Sequence, residues 1–310
     1  MLKHVLDIVE LLDSPKTSGP ALVEHLRSLS GEGVEISTHT VTGERGDTDF
    51  VSVVIPGRSG KRSGGEAPTL GVIGRLGGVG ARPEMTGFVS DGDGAAAALS
   101  AAAKLLSMHA KGDVFEGDVI VRTHVCGWAP TEPHEPVPFM SSPVDMRTMN
   151  ANEVSDEMDA ILSIDTTKGN RVINHRGVAI SPTVKEGWIL HVSGDLLDVL
   201  ETVTGEIAHT FPITSQDITP YGNGVDHVNS ILQPAAATAA PVVGLAITTE
   251  STVAGCATGA SHEIDIAAAA RIAVETANRF GAGILSFHDQ DTFDRLVSLY
   301  GKMTQLQQAG

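Results

Sequence analysis

The sequence predicts an α/β protein, with a largely parallel sheet covered by helices on both faces. Three observations predict it. Short apolar runs alternate with segments of helical periodicity, the order that builds strand–helix–strand units. Glycine is abundant at 34 residues while aromatics are only 4%. The core therefore rests on Val, Ile, Leu and Ala, with glycine at tight turns and close backbone contacts. No internal repeat or low-complexity linker divides the 310 residues, which predicts a single domain over residues 1–310.

The elements follow in order. Leu2, Val5, Leu6, Val9 and Leu12 recur at helical spacing, as do Ala21, Leu22, Leu26 and Leu29, so helices are predicted over 2–13 and 20–30. The turn-rich segment from Ser14 to Pro20 separates them. Val34–Thr38, Phe50–Pro56 and Thr69–Ile73 read as strands between Gly- and Ser-rich loops. Residues 94–109 give the clearest helix, entered through Asp91-Gly92-Asp93, an acidic turn suited to capping and to the helix dipole. Val119–His124 and Ala160–Ile164 read as buried strands, and Pro130–Pro143 as a long ordered loop. Trp188–Val192 then reads as a strand, Leu196–His209 as a helix, Pro241–Ile247 as a strand and Ile264–Phe280 as a final helix.

In such a sheet the ligand site lies beyond the carboxyl ends of the strands. That singles out Arg75, Asp91, His124, Asp165, Asp226 and His262.

A formal charge of −17, with no basic cluster interleaved with aromatics, argues against nucleic-acid binding. It suits a solvated acidic surface first, and metal ions or cationic substrates second. Two cysteines, Cys126 and Cys256, are too few for a disulfide framework or a structural zinc knuckle. The N-terminal segment carries acidic residues at helical spacing rather than a signal peptide's apolar core. No run of about 18 apolar residues is present to span a membrane. The expectation is a cytoplasmic protein with a small-molecule substrate and no nucleic-acid or membrane partner.

Several segments together resemble the co-catalytic zinc aminopeptidase superfamily, especially the tetrahedral and glutamyl aminopeptidases. The opening LDIVELLDSPKTSGPALVEHLRSL resembles that family's first two helices and the Ser-Gly turn between them. SDGDGAAAALSAAAKLL is similar to its bridging-aspartate turn, which implies a metal role for Asp91 with Gly94 beside it. DAILSIDTTKG resembles the strand ending in a second aspartate ligand, here Asp165. YGNGVDHVNSI resembles a Gly-Thr-Asp-Ala loop, with Asp226 at the aspartate position. APVVGLAI followed by GASHEIDIAAAARIA resembles the closing strand, histidine ligand and last helix, which puts a ligand role on His262. The order and spacing carry the resemblance, over about residues 4–280. It implies a three-layer sheet that is twisted and mostly parallel. Residues 79–90 are too few for the inserted dimerisation domain of many relatives.

The chain departs from that family in two places. In LGVIGRLGGVG, Arg75 stands where a metal-binding histidine is expected, and Gly77 and Gly78 replace acidic residues. Arginine is permanently cationic and ligates no metal. The Glu-Glu pair expected to end the strand VIVRTHVCGWAP is also missing, which leaves His124 in that region, or Glu132, His134 and Glu135 in the following loop, as base or ligand.

Each of these residues also has a plain structural reading. Asp91 is a ligand or a helix cap, and Asp165 a ligand or a turn residue. His262 is a ligand or the cap of the last helix, and His124 a catalytic group or a hydrogen-bonded core histidine. Arg75 anchors a substrate carboxylate or neutralises Asp91 and Asp165; Asp226 contacts ligand or shapes its loop. The leading expectation is a divergent metal-dependent hydrolase of an amide bond in a small substrate. Asp91, Asp165 and His262 then hold one zinc or manganese ion, His124, Glu132 or Glu135 activates water, and Arg75 and Asp226 bind substrate. The alternatives are a catalytically silent binding or assembly protein on the same fold and, third, a racemase using Cys126 and Cys256. A homo-oligomer is expected, with the Pro-rich loop as contact arm.

Overall fold

The structure, a computed structural model, describes residues 1–227, 229–253 and 259–308. In chain order the helices and strands are α1 (Leu2–Asp13), α2 (Gly19–Leu29), β1 (Glu35–Gly43), β2 (Gly46–Ile55), β3 (Leu70–Gly74) and α3 (Asp93–His109). Next come β4 (Val119–Val125), β5 (Thr131–Glu132), β6 (Phe139–Met140), α4 (Met146–Glu153), β7 (Ala160–Thr166), β8 (Gly177–Ile180) and β9 (Val184–Lys185). The last are β10 (Trp188–Ile189), α5 (Gly194–Thr204), β11 (His209–Thr210), β12 (Val242–Thr248), α6 (Glu263–Gly281) and α7 (Gln290–Tyr300).

The main sheet runs in the order β1-β2-β4-β3-β7-β12-β8-β11. Its centre is parallel: β3 pairs in parallel with β4 and β7, and β12 with β7. The β1–β2 hairpin joins β4 antiparallel, and β12 pairs antiparallel with β8. The predicted fold class holds: a mostly parallel α/β sheet with helices on both sides.

Alternation along the central strands builds the two cores, because successive side chains point to opposite faces. Leu70 and Val72, Val119 and Val121, Leu162 and Ile164, and Val243 and Leu245 all join one cluster under α1, α3, α5 and α6. Ile73, Ile120, Ile161, Val242 and Ala246 join a second on the opposite face, where α4 packs near β2 and β4.

Helix α3 lies close on the sheet because its inner face is alanine and glycine. A Cβ on Gly94 would stand 1.9 Å from Arg75 O and 2.5 Å from Ile164 O. Only glycine lets the helix start between the ends of β3 and β7.

Several predicted boundaries moved. The Pro-rich stretch contains the antiparallel pair β5–β6. The helix predicted to reach His209 ends at Thr204, because Gly205 adopts a left-handed φ of 73° and caps it. The strand expected over Trp188–Val192 shrinks to β10. Helices α4 and α7, each opened by an aspartate cap (Asp145 and Asp289), were not foreseen. No helix among the described residues is long and apolar enough to cross a membrane.

Candidate active site

A cleft of about 1020 Å³ opens beyond the carboxyl ends of β3, β7 and β12, where a parallel sheet exposes its strand exits. Asp91 and Asp165 both line it, with Lys168, His227, Asn229 and Ser230. The opposite wall carries Leu76, Met140, Met146 and Met149, with the tip of the β1–β2 hairpin around Arg45. Arg45 ties that tip to the β5–β6 ribbon through Glu132 Oε1 at 2.6 Å and Thr131 O at 3.0 Å.

Asp165 is 2% exposed. Its Oδ1 accepts the Thr166 N–H at 2.7 Å and its Oδ2 accepts from Ser230 Oγ at 2.9 Å. Burial pushes this carboxyl up to about 6, against the opposing pull of Ser230, Thr166 and the Arg75 charge. Asp91 is also buried, in the 3-10 turn Ser90–Gly92. Thr166 Oγ donates to Ser90 O at 2.7 Å, so this turn is tied to the end of β7.

Two groups sequence reasoning passed over stand beside this floor. Asp93, fully buried, accepts from Ser261 Oγ at 2.5 Å and pairs with Lys168 Nζ at 3.1 Å. Burial pushes the Asp93 carboxyl up to about 6, with Lys168 holding it back. His227 sits next to the predicted Asp226 and, unlike it, lines the cleft. Its Nε2 lies 2.9 Å from Thr219 O, so Nε2 carries the proton and Nδ1 the lone pair. Acid–base residue types at adjacent positions of one loop were the available signal.

The other predicted residues lie elsewhere. Arg75 is fully buried and is not among the cleft residues, although its charge is felt by Asp165. Its Nη2 donates to Asn150 Oδ1 at 2.6 Å, Nη1 lies 2.6 Å from Met146 Sδ, and Nε lies 2.7 Å from Glu153 Oε2. The last contact is electrostatic, since the N–H is not aimed at the oxygen. His124 Nδ1 is 2.5 Å from Glu153 Oε1, and its Nε2 accepts the Gly77 N–H at 3.1 Å. Both ring nitrogens are therefore engaged, and the general-base role expected of His124 does not fall to it. Glu132 is spent on Arg45, while Glu135 and Asp226 are exposed and outside the cleft lining. His262 is exposed at the start of α6 and is not among the cleft residues.

The expected metal set is thus not gathered. Among the described residues, no group of three or more His, Cys, Asp or Glu side chains is placed to hold an ion. Asp91 and Asp165 supply two carboxylates and His227 an imidazole to the same cleft, but they are not grouped to hold an ion, while His124 is engaged on both nitrogens and His262 is not among the cleft residues. The donor set does not fit the ion. Cys126 is buried among Ala81, Val89, Ala129 and Met140, and burial pushes its thiol up. It behaves as a small apolar side chain, and Cys256 lies outside the described residues.

A family profile described as a protein of unknown function (DUF1177) matches residues 39–310. No curated protein matches the chain. Among solved structures it is similar to the bottromycin maturation enzyme BotP in complex with Mn, at 14% identity and a TM-score of 0.50. That match covers 90% of this chain and 70% of the other. It is also similar to a mutant of tomato leucine aminopeptidase, at 12% identity and a TM-score of 0.53, covering 88% of this chain and 60% of that one. The fold is therefore aminopeptidase-like, as the sequence resemblance implied.

Proposed function

The chain belongs to the DUF1177 family, and from its aminopeptidase-like fold we propose that the cleft is the active site of a hydrolase cleaving an amide bond in a small substrate. The observation that carries this is Asp165: a buried carboxyl, raised to about 6, on the floor of a cleft at the strand exits. Perturbed titratable groups in such clefts mark functional sites. With its proton affinity near neutrality, Asp165 is ionised at neutral pH yet basic enough to accept a proton from water.

In this reading the water oxygen bonds to the amide carbonyl carbon while its proton moves to Asp165. Collapse breaks the C–N bond as that proton passes to the departing nitrogen, giving a carboxylic acid and an amine. No step is assigned to a metal ion, because the donor set does not fit one.

The test is amine release from a panel of dipeptides, N-acyl amino acids and amino-acid amides. Release that rises through about pH 6 and is lost in Asp165→Asn is the expected result. No release from any of them by the wild type would overturn it. A catalytically silent binding protein is the second reading. It is favoured by Arg75 and His124, which stand where relatives are expected to carry catalytic side chains and are here spent on holding α4 to the sheet.

A further inference from the structure

Lys168 brings a cation to the cleft in a way that leaves one of its donors unused. Its side chain is 7% exposed and lines the cleft. An ammonium carries three N–H donors. One goes to Asp93 Oδ2 at 3.1 Å and one to Ala260 O at 3.0 Å. Among the described residues nothing accepts the third.

The placement is rigid. Asp93 is fixed in turn by Ser261, and the Gly169 N–H donates to Thr249 Oγ at 2.8 Å. A Cβ on Gly169 would lie 2.3 Å from Thr249 O and 2.4 Å from Ser251 O, so the backbone just after Lys168 is pressed against the exit of β12. A donor held this firmly needs no reorganisation when charge develops beside it.

The group that takes the third hydrogen is defined by its neighbours. Asp91 and Asp165 line the same floor, and a chain carrying −17 overall repels an anionic ligand there. A neutral carbonyl oxygen suits the position, because it becomes negative only during reaction. We propose that Lys168 is the group that receives the substrate's amide carbonyl oxygen and stabilises the charge it gains, in place of a metal ion.

This rests on the hydrolase reading above. Lys168 keeps its proton throughout. Negative charge grows on the oxygen it touches as water adds to the carbonyl carbon, and is withdrawn when the C–N bond breaks.

The probe is N-acetyl-leucinamide, followed by isothermal titration and by amine release. Three proteins are compared: wild type, Lys168→Met, and the double variant Asp93→Asn/Lys168→Met, which leaves no buried charge unpaired. Circular dichroism and the unliganded Tm show which variants fold. The expected result is saturable binding by the wild type, weakened by about tenfold or more in the folded variants, as loss of a charged hydrogen bond gives. N-acetyl-leucine, which carries a carboxylate, is expected to bind the wild type more weakly than the amide. Unchanged amide affinity in the variants, with amine release by the wild type, would overturn the Lys168 assignment and leave the hydrolase reading standing. Neither binding nor release by the wild type would overturn both.

Discussion

Arg75 Nε lies 2.7 Å from Glu153 Oε2, and both side chains are fully buried. The guanidinium thus makes its close contacts with α4, and reaches the cleft only through the effect of its charge on Asp165. Glu153 also accepts from His124, so one carboxylate holds the ends of β3 and β4 against a helix that follows a long loop. Stripping its charge leaves Arg75 uncompensated in the core, a change of about 3–5 kcal/mol. Glu153→Gln is expected to lose stability on that scale in urea unfolding. The double variant Arg75→Met/Glu153→Gln should recover part of it, since Gln can still accept from His124. Strict additivity of the two substitutions would show that the pair is not coupled.

Gly94 offers a sharper test of how α3 meets the sheet. Its absent Cβ would collide with two backbone carbonyls, Arg75 O at 1.9 Å and Ile164 O at 2.5 Å, neither of which can rotate away. Gly94→Ala should cost about 3 kcal/mol or more, the upper end of overpacking, or prevent folding. Gly194→Ala is the control: nothing lies within 4 Å of that position, and a change within about 0.5 kcal/mol is expected. Equal thermal stability of the two variants would contradict the close approach described here.

These two cases show what the sequence can and cannot disclose. The acidic turn, Gly94 and the alanine-rich run lie together in the chain, so α3 and its seat were legible, as were the apolar runs of β3, β4, β7 and β12. Arg75 and Glu153 are far apart in sequence. Glu153 ends an eight-residue helix of low hydrophobicity, MRTMNANE, which gives almost no periodic signal. Arg75 was consequently assigned to the cleft. Asp91 and Asp165, expected near one another, line the same cleft because strand exits converge in a parallel sheet. Lys168 carries no local signal because its partners are far apart in the chain, Asp93 opening α3 and Ala260 in the segment that leads into α6.

The Asp165 carboxyl makes stability depend on pH in a defined direction. Its native proton affinity, about 6, exceeds the ordinary 3.8, so the native state binds the proton more tightly than the unfolded chain does. Stability from this group is therefore greatest below about pH 4 and declines as pH rises to about 6. Asn at this position can accept from Thr166 and donate to Ser230 without ionising. Asp165→Asn should be more stable than wild type at pH 8 by up to about 3 kcal/mol, the equivalent of the shift, with the advantage fading toward pH 4. Urea midpoints across pH 4–8 provide the measurement, and parallel curves for the two proteins would refute it.

The metal question turns on how the donors are grouped. Asp91, Asp165 and His227 line one cleft, but among the described residues no three His, Cys, Asp or Glu side chains are grouped to hold an ion, and scattered donors bind zinc or manganese weakly. In this structure His262 begins α6 in solvent, and His124 has no lone pair to offer. Protein purified without chelators is expected to hold well short of one zinc or manganese ion per chain by elemental analysis, and the Asp91→Ala/His262→Ala variant to hold no less. Amine release by the wild type should likewise survive a chelator, since the charge that stabilises the reacting oxygen is assigned to Lys168. One ion per chain that disappears in the double variant would mean that His262 reaches the two aspartates after all. The hydrolase reading would then regain the metal-dependent form that the sequence alone suggested.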